Sequence, residues 1–268
     1  MTERTYRTPN GVIHYWVNTI DQAKRTLVFL PGLTADHRLF EKQVDYFADQ
    51  YNVLVWDAPG HGASRPFALS FSLVDKTRWL HEMLQRENIS RPFLIGQSMG
   101  GYVSQCYIEC YPDEIQGFVS IDSAPLKRRY VTRWEIWMLK HCEPIYRYYP
   151  WKSLLESGSK GCATTAYGRA LMRSMMQDYT PQEYSRLAGH GYRILAEAIK
   201  TDLPYEITCP CLLICGEKDR AGSTKRYNKA WAKQENLPIA WIENAGHNAN
   251  TDAPDTVNRL IQQFITAA

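Results

Sequence analysis

The stretch "FLIGQSMGGYVSQC", residues 93–106, decides the fold. Phe93, Leu94 and Ile95 form a short apolar run bounded by Pro92 and Gly96, which reads as a buried strand. Beyond it, Met99, Val103, Cys106, Tyr107 and Cys110 recur at the spacing of one helix face. Ser98 therefore sits on a turn only a few residues long between strand and helix. Gly96-Gln97-Ser98-Met99-Gly100 fits G-x-S-x-G, a sharp turn that holds a serine hydroxyl clear of its neighbours. Such a turn crowds the positions two before and two after the serine, where glycine omits the clashing Cβ. The free N–H groups at the start of the following helix favour negative charge developing beside the serine.

Working outward, "RTYRTPNGVIHYWVNT" reads as two strands joined by a Pro-Asn-Gly turn. "TLVFLPG" (26–32), "NVLVWDAPG" (52–60) and "GFVSID" (117–122) read as further buried strands. Helical faces run through Phe40, Val44 and Phe47, and through Val74, Thr77, Leu80 and Leu84, where Ser72 and Asp75 mark the start. "CLLICG" (211–216) and "PIAWIE" (238–243) flank a helix near 223–236. A last helix opens at "DAPD", with Asp252 as the expected N-cap. Strands alternating with helices imply a mostly parallel α/β sheet covered on both faces. From 125 to 203 the texture changes to Trp, Tyr, Arg and Met, with helical patterns, a loose-looking "ESGSKG" at 156–161 and no convincing strand. The chain thus divides into a core, 1–124 and 204–268, and an inserted all-helical cap, 125–203.

The composition of the 268 residues is that of an ordinary globular protein, 44% hydrophobic and 22% charged. A net charge of +3 is too small to indicate nucleic acid. No apolar run approaches a membrane span, and "MTERTYRTPNG" lacks the apolar core of a secretion signal, so no membrane insertion and a cytoplasmic location are expected. Seven cysteines form no framework of the kind found in small secreted domains. Cys209, Cys211 and Cys215 share one strand face, but no nearby histidine completes a metal-ligand set. Buried cysteine acting as a small hydrophobe is the better account, for these and for Cys106 and Cys110.

A serine hydroxyl needs a base. His247, in "ENAGHNANTDAP", lies in a loop after the final strand, and of the seven histidines it is the best placed to meet Ser98. His61 suits a tight turn; His37 follows "LPGL" and could line a pocket or start a helix. Two carboxylates compete to orient the imidazole. Asp219 follows "LLICGEKD" and Asp122 ends "FVSID"; both lie on the same rim of the sheet, where ligands bind in such folds. The chain order Ser…Asp…His favours Asp219, with Asp122 the alternative acid. Oxyanion donors would be the backbone N–H of Met99 and that of Leu33, with Gly32 allowing close approach.

These stretches together resemble the α/β-hydrolase superfamily, in particular its small cap-bearing serine hydrolases, through "LPGLTADHRLF", "WDAPGHGAS", "GQSMGG", "LLICGEKD" and "NAGHNANTDAP". The resemblance implies an eight-stranded sheet with one antiparallel strand and a helical cap over the site. Many relatives carry His-Gly where this chain has Pro31-Gly32, and His before the serine where it has Gln97. The reaction implied is cleavage of a small ester, lactone or related acyl substrate through an acyl-enzyme, with no metal or organic cofactor. Haloalkane dehalogenases and epoxide hydrolases of this fold use an aspartate nucleophile, against which Ser98 argues. Cofactor-free lyases and C–C bond hydrolases keep the serine triad. A menaquinone-pathway lyase would need cap cations, for which Lys127, Arg128, Arg129 and Arg133 are candidates against the alternative of a solvated helix face. Trp134 and Trp137 are candidate pocket walls for an apolar acyl group. A non-catalytic ligand receptor is the reading from another class, since function does not follow from fold.

Overall fold

The computed structural model describes residues 1–204 and 206–268. Strands β1 (Thr2–Thr8), β2 (Gly11–Val17), β3 (Thr26–Leu30), β4 (Asn52–Trp56), β5 (Phe93–Gln97), β6 (Gly117–Ile121), β7 (Cys211–Gly216) and β8 (Ile239–Ile242) form one sheet. Their order is β1-β2-β4-β3-β5-β6-β7-β8. β2 runs against both β1 and β4, and every pair from β4 to β8 is parallel. The eight-stranded sheet with one reversed strand is therefore present.

The central strands are buried end to end because helices cover both faces. Val28, Leu30, Leu54, Leu94 and Phe118 face one core with α2 (Leu73–Arg86), α3 (Met99–Cys110) and α9 (Thr224–Glu235). Leu27, Phe29, Val53, Ile95 and Val119 face the other, with α1 (Glu41–Phe47) and α11 (Pro254–Ala267). Single-residue alternation along each strand divides one apolar run between two cores. The α2 start is a capping box between Ser72 and Asp75, as the sequence indicates.

Between β6 and β7 lie α4 (Arg133–Lys140), α5 (Glu143–Tyr148), α6 (Trp151–Cys162), α7 (Ala166–Gln177) and α8 (Pro181–Thr201), and no strand among the described residues. The stretch 156–161, expected to be loose, is the second half of α6, where Gly158 faces the Met176 side chain of α7. α8 descends onto the loop after β3, where a Cβ on Gly191 would strike Leu33 Cδ1 at 2.4 Å. Asp252 does not cap α11, whose N-cap is Ala253. It ends α10 (Ala249–Asp252), and its carboxylate accepts hydrogen bonds from the amides of Thr164, Thr165 and Gly246, tying the inserted helices to the loop after β8. Cys110, expected to be buried, lies in the last turn of α3 and is exposed, whereas Cys106 one turn earlier is buried. No described helix is long and apolar enough to cross a membrane.

Candidate active site

β5 ends in the turn at Ser98, whose backbone takes φ 49° and ψ −113°, a region that non-glycine residues rarely enter. Neighbouring backbone leaves no space for side chains around it. A Cβ on Gly96 would lie 2.4 Å from the Gly101 nitrogen, and one on Gly100 would lie 1.8 Å from the Leu30 oxygen. The Ser98 amide donates to Ile121 O at 2.9 Å, and its carbonyl accepts from Ser123 Oγ at 2.7 Å. The strained turn is thus fixed from β6.

Three loops, from β5, β7 and β8, meet at the carboxyl edge. His247 Nε2 lies 2.9 Å from Ser98 Oγ, and His247 Nδ1 lies 3.0 Å from Asp219 Oδ2. The other oxygen of Asp219 accepts from the Ala221 amide at 2.7 Å. Asp219 is buried, as is most of the histidine ring. Burial is the largest single influence on His247 and pulls its pKa down. The charge of Asp219 and the hydrogen bond to it outweigh that, with Asp122 contributing less, so the imidazole holds its proton above the ordinary histidine range.

Asp122, the competing acid, is occupied elsewhere. Its two oxygens accept from the amides of Gly216 (2.7 Å) and Ala249 (2.9 Å), so it links the end of β7 to the start of α10. Burial, and next the neighbouring Asp219, push its carboxyl well above the usual carboxylate range. Of the two carboxylates, Asp219 is the one that meets the imidazole.

The loop after β3 completes the rim. A Cβ on Gly32 would lie 2.3 Å from Gln97 Oε1 and 3.1 Å from Ser98 Cβ, so this loop lies close against the serine and the Gln97 side chain. Leu33 and Met99 both border the cavity at Ser98. As the first residue of α3, Met99 has an N–H with no intrahelical acceptor.

Gln97, noted in the sequence only as a departure from histidine, and Asn248, which the sequence did not single out, adjoin the histidine loop. Gln97 Nε2 donates to His247 O at 2.8 Å and to Asn248 Oδ1 at 3.1 Å, clamping the histidine loop to β5. The only sequence signal for this was the departure from histidine at position 97.

The remaining candidates are not brought to Ser98 and His247. His37 starts a short turn, bonds Asp57 Oδ1 through Nδ1 at 2.8 Å and stacks on Trp16 with centroids 3.7 Å apart. Trp134 and Trp137 are 65% and 49% exposed and stack on each other at 4.9 Å. The cavity-facing side of α4 is instead Glu135, Met138 and Leu139, followed by Cys142, a helical stripe offset from the tryptophans. Arg128 donates its amide to Asp202 and its guanidinium to Val131 O, while Arg129 and Lys127 pair with Glu235. None of these borders the cavity among the described residues.

Two groups of acidic, histidine or cysteine side chains lie close enough to invite a metal reading: Asp36, His37 and Asp57, and Asp122, Cys215 and Asp219. Their carboxylates are already engaged by Arg38, by His37 and Ala63, and by the amides and imidazole described above. The cysteines of β7 are free thiols, with Cys211 and Cys215 buried.

Residues 27–260 match the family model described as the alpha/beta hydrolase family. The chain is 26% identical over 253 residues to (E)-2-((N-methylformamido)methylene)succinate hydrolase of Acinetobacter baylyi, covering 89% of each. It is 22% identical to 3-oxoadipate enol-lactonase 2 of the same organism, covering 91% of this chain and 90% of the relative. Among solved structures, a thermophilic esterase from Thermogutta terrifontis superposes with a TM-score of 0.81 at 19% identity, over 100% of this chain and 99% of that one. With the family model spanning most of its length, this chain belongs to the alpha/beta hydrolase family.

Proposed function

We propose that the protein hydrolyses a small acyl substrate, an ester, lactone or close relative, through an acyl-enzyme formed on Ser98. The observation that carries this reading is the unbroken chain from Asp219 through His247 to Ser98 Oγ at a cavity, with bonds of 3.0 and 2.9 Å. His247 Nε2 takes the hydroxyl proton as Oγ attacks the carbonyl carbon, and returns it to the leaving group as the tetrahedral intermediate collapses. Water then attacks the acyl-enzyme by the same route. Asp219 holds the Nδ1–H tautomer and stabilises the imidazolium. The amides of Leu33 and Met99 receive the oxyanion, where one donor contributes on the order of 3 kcal/mol in such enzymes. The inserted helices act as a cap over this chemistry. The enol-lactonase and succinate-derivative hydrolase among the relatives support the reaction class, and the same triad would serve C–C bond hydrolysis.

The pH dependence follows from His247. The base acts only when neutral, and its pKa lies above the ordinary value of about 6.5. Activity should therefore rise with pH through an apparent pKa above that value. In Asp219→Asn, which removes the charge, this limb should move to lower pH as its amplitude drops. A limb that stays in place would show that Asp219 does not set the imidazole. Stability has the opposite sign: the raised folded pKa stabilises the protein below about pH 6.5, and the contribution is lost as pH rises through it.

Gln97 gives a second expectation. Gln97→Leu keeps the volume but removes both bonds to the histidine loop, so kcat should drop by about 10- to 100-fold. Steady-state kinetics with kcat unchanged would show that the loop holds His247 without it.

A further inference from the structure

We infer that the substrate is an uncharged carbonyl compound with two unequal arms diverging from the reacting carbon, and that a free carboxylate on either arm is rejected. The inference rests on the hydrolase reading above. Two cavities meet at Ser98 and His247, one of about 480 Å³ and one of about 240 Å³. Both share Leu33, Tyr146, Tyr192 and Ala221 as walls. The larger runs toward Tyr102, Met138, Leu195 and Tyr227, and the smaller toward Thr34, Leu154, Gly158 and Met172. A carbonyl held at Ser98 would send one substituent into each.

The charge of these walls is what selects. Among the described residues lining either cavity, none is lysine or arginine, and His247 is the sole histidine. Glu135 is the one carboxylate, at the wall of the larger cavity. Burial raises its pKa, but hydrogen bonds from Tyr227 and Thr132 outweigh that and hold it down at about 2, so it stays anionic. Its charge is already met by Arg226, outside the cavity. Burial keeps the phenols of Tyr102, Tyr192 and Tyr227 protonated, so they can donate hydrogen bonds but carry no charge. A substrate carboxylate would lose water here without a cation to replace it, and on the longer arm it would face Glu135.

The test compares p-nitrophenyl hexanoate with the mono-p-nitrophenyl ester of adipic acid, and a second pair carrying the carboxylate on the alcohol arm. The neutral member should be favoured in kcat/KM by about 100-fold or more in both pairs. Met138→Arg, at a partly exposed wall position, should narrow the gap at least about tenfold. A length series should show an earlier cut-off on one arm than on the other. Parity or preference for the charged esters, an unmoved ratio in Met138→Arg, or equal tolerance of both arms would overturn the inference. Titration with a neutral fluorophosphonate separates the two levels: labelling together with those results defeats the substrate class alone, whereas no labelling and no turnover defeats the hydrolase reading beneath it.

Discussion

Replacing Ser98 with alanine should lower kcat/KM for a hydrolysed ester by about 10⁴-fold or more, because without the hydroxyl no acyl-enzyme forms and the remaining groups act only on water. Folding should barely respond. Ser98 Oγ makes one side-chain bond, to His247, and alanine keeps the same unfavourable φ of 49°. The thermal midpoint should stay within about 3 °C of wild type. Ser98→Gly separates strain from chemistry: equally inactive, it should be more stable than the alanine variant by about 1 kcal/mol, since glycine accepts this backbone conformation. Kinetics and calorimetry on the three proteins test both parts. Residual turnover near wild type in either variant would remove Ser98 from the reaction, and equal stability would remove the strain argument.

The second large effect lies away from the site. Lys76, on α2, is 2% exposed and makes no ion pair among the described residues. Burial alone brings its pKa from 10.5 down to about 8. At 1.36 kcal/mol per pH unit, keeping the buried ammonium charged at neutral pH costs about 3 kcal/mol. Lys76→Met should therefore stabilise the protein by that order, roughly 8 °C in thermal midpoint. Between the folded and unfolded pKa values the unfolded chain binds the extra proton, so wild-type stability rises from about pH 8 to about 10.5 and is flat below. The methionine variant should lose that rise. A destabilised variant would mean that the ammonium has a stabilising partner. Nearby His61 and His190 are held neutral by burial, at about 3 and about 4. Each contributes stability above about pH 6.5 that is lost as pH falls toward those values.

These two predictions differ in how much of their basis could be read from the chain. The turn at Ser98 was legible because strand, glycines and helix are contiguous, and local sterics dictate all three. The count of eight strands with a single reversed one followed from the family resemblance, whereas which strand is reversed and the order of the strands came from the structure. The meeting of Ser98 and His247 followed from the rule that such loops share one edge. The choice between Asp219 and Asp122 was not settled by spacing. It depends on which carboxylate is taken by the amides of Gly216 and Ala249, a tertiary fact. The inserted helices were harder still. Trp134 and Trp137 are conspicuous by type, yet the face of α4 that meets the cavity is set by how α4 lies on α8. The small residues of 156–161 suggested a loose loop, whereas they form the second half of α6. Lys76 sits among apolar neighbours at helical spacing, and sequence alone gives no hint that its ammonium is buried.

The account stands on His247 activating Ser98, and peptide mapping after reaction with a fluorophosphonate tests that most directly. A single adduct on the peptide containing Ser98, formed at a rate that falls by orders of magnitude in His247→Ala, is the predicted result. Labelling at another serine, or labelling of Ser98 at the same rate without the imidazole, would contradict it.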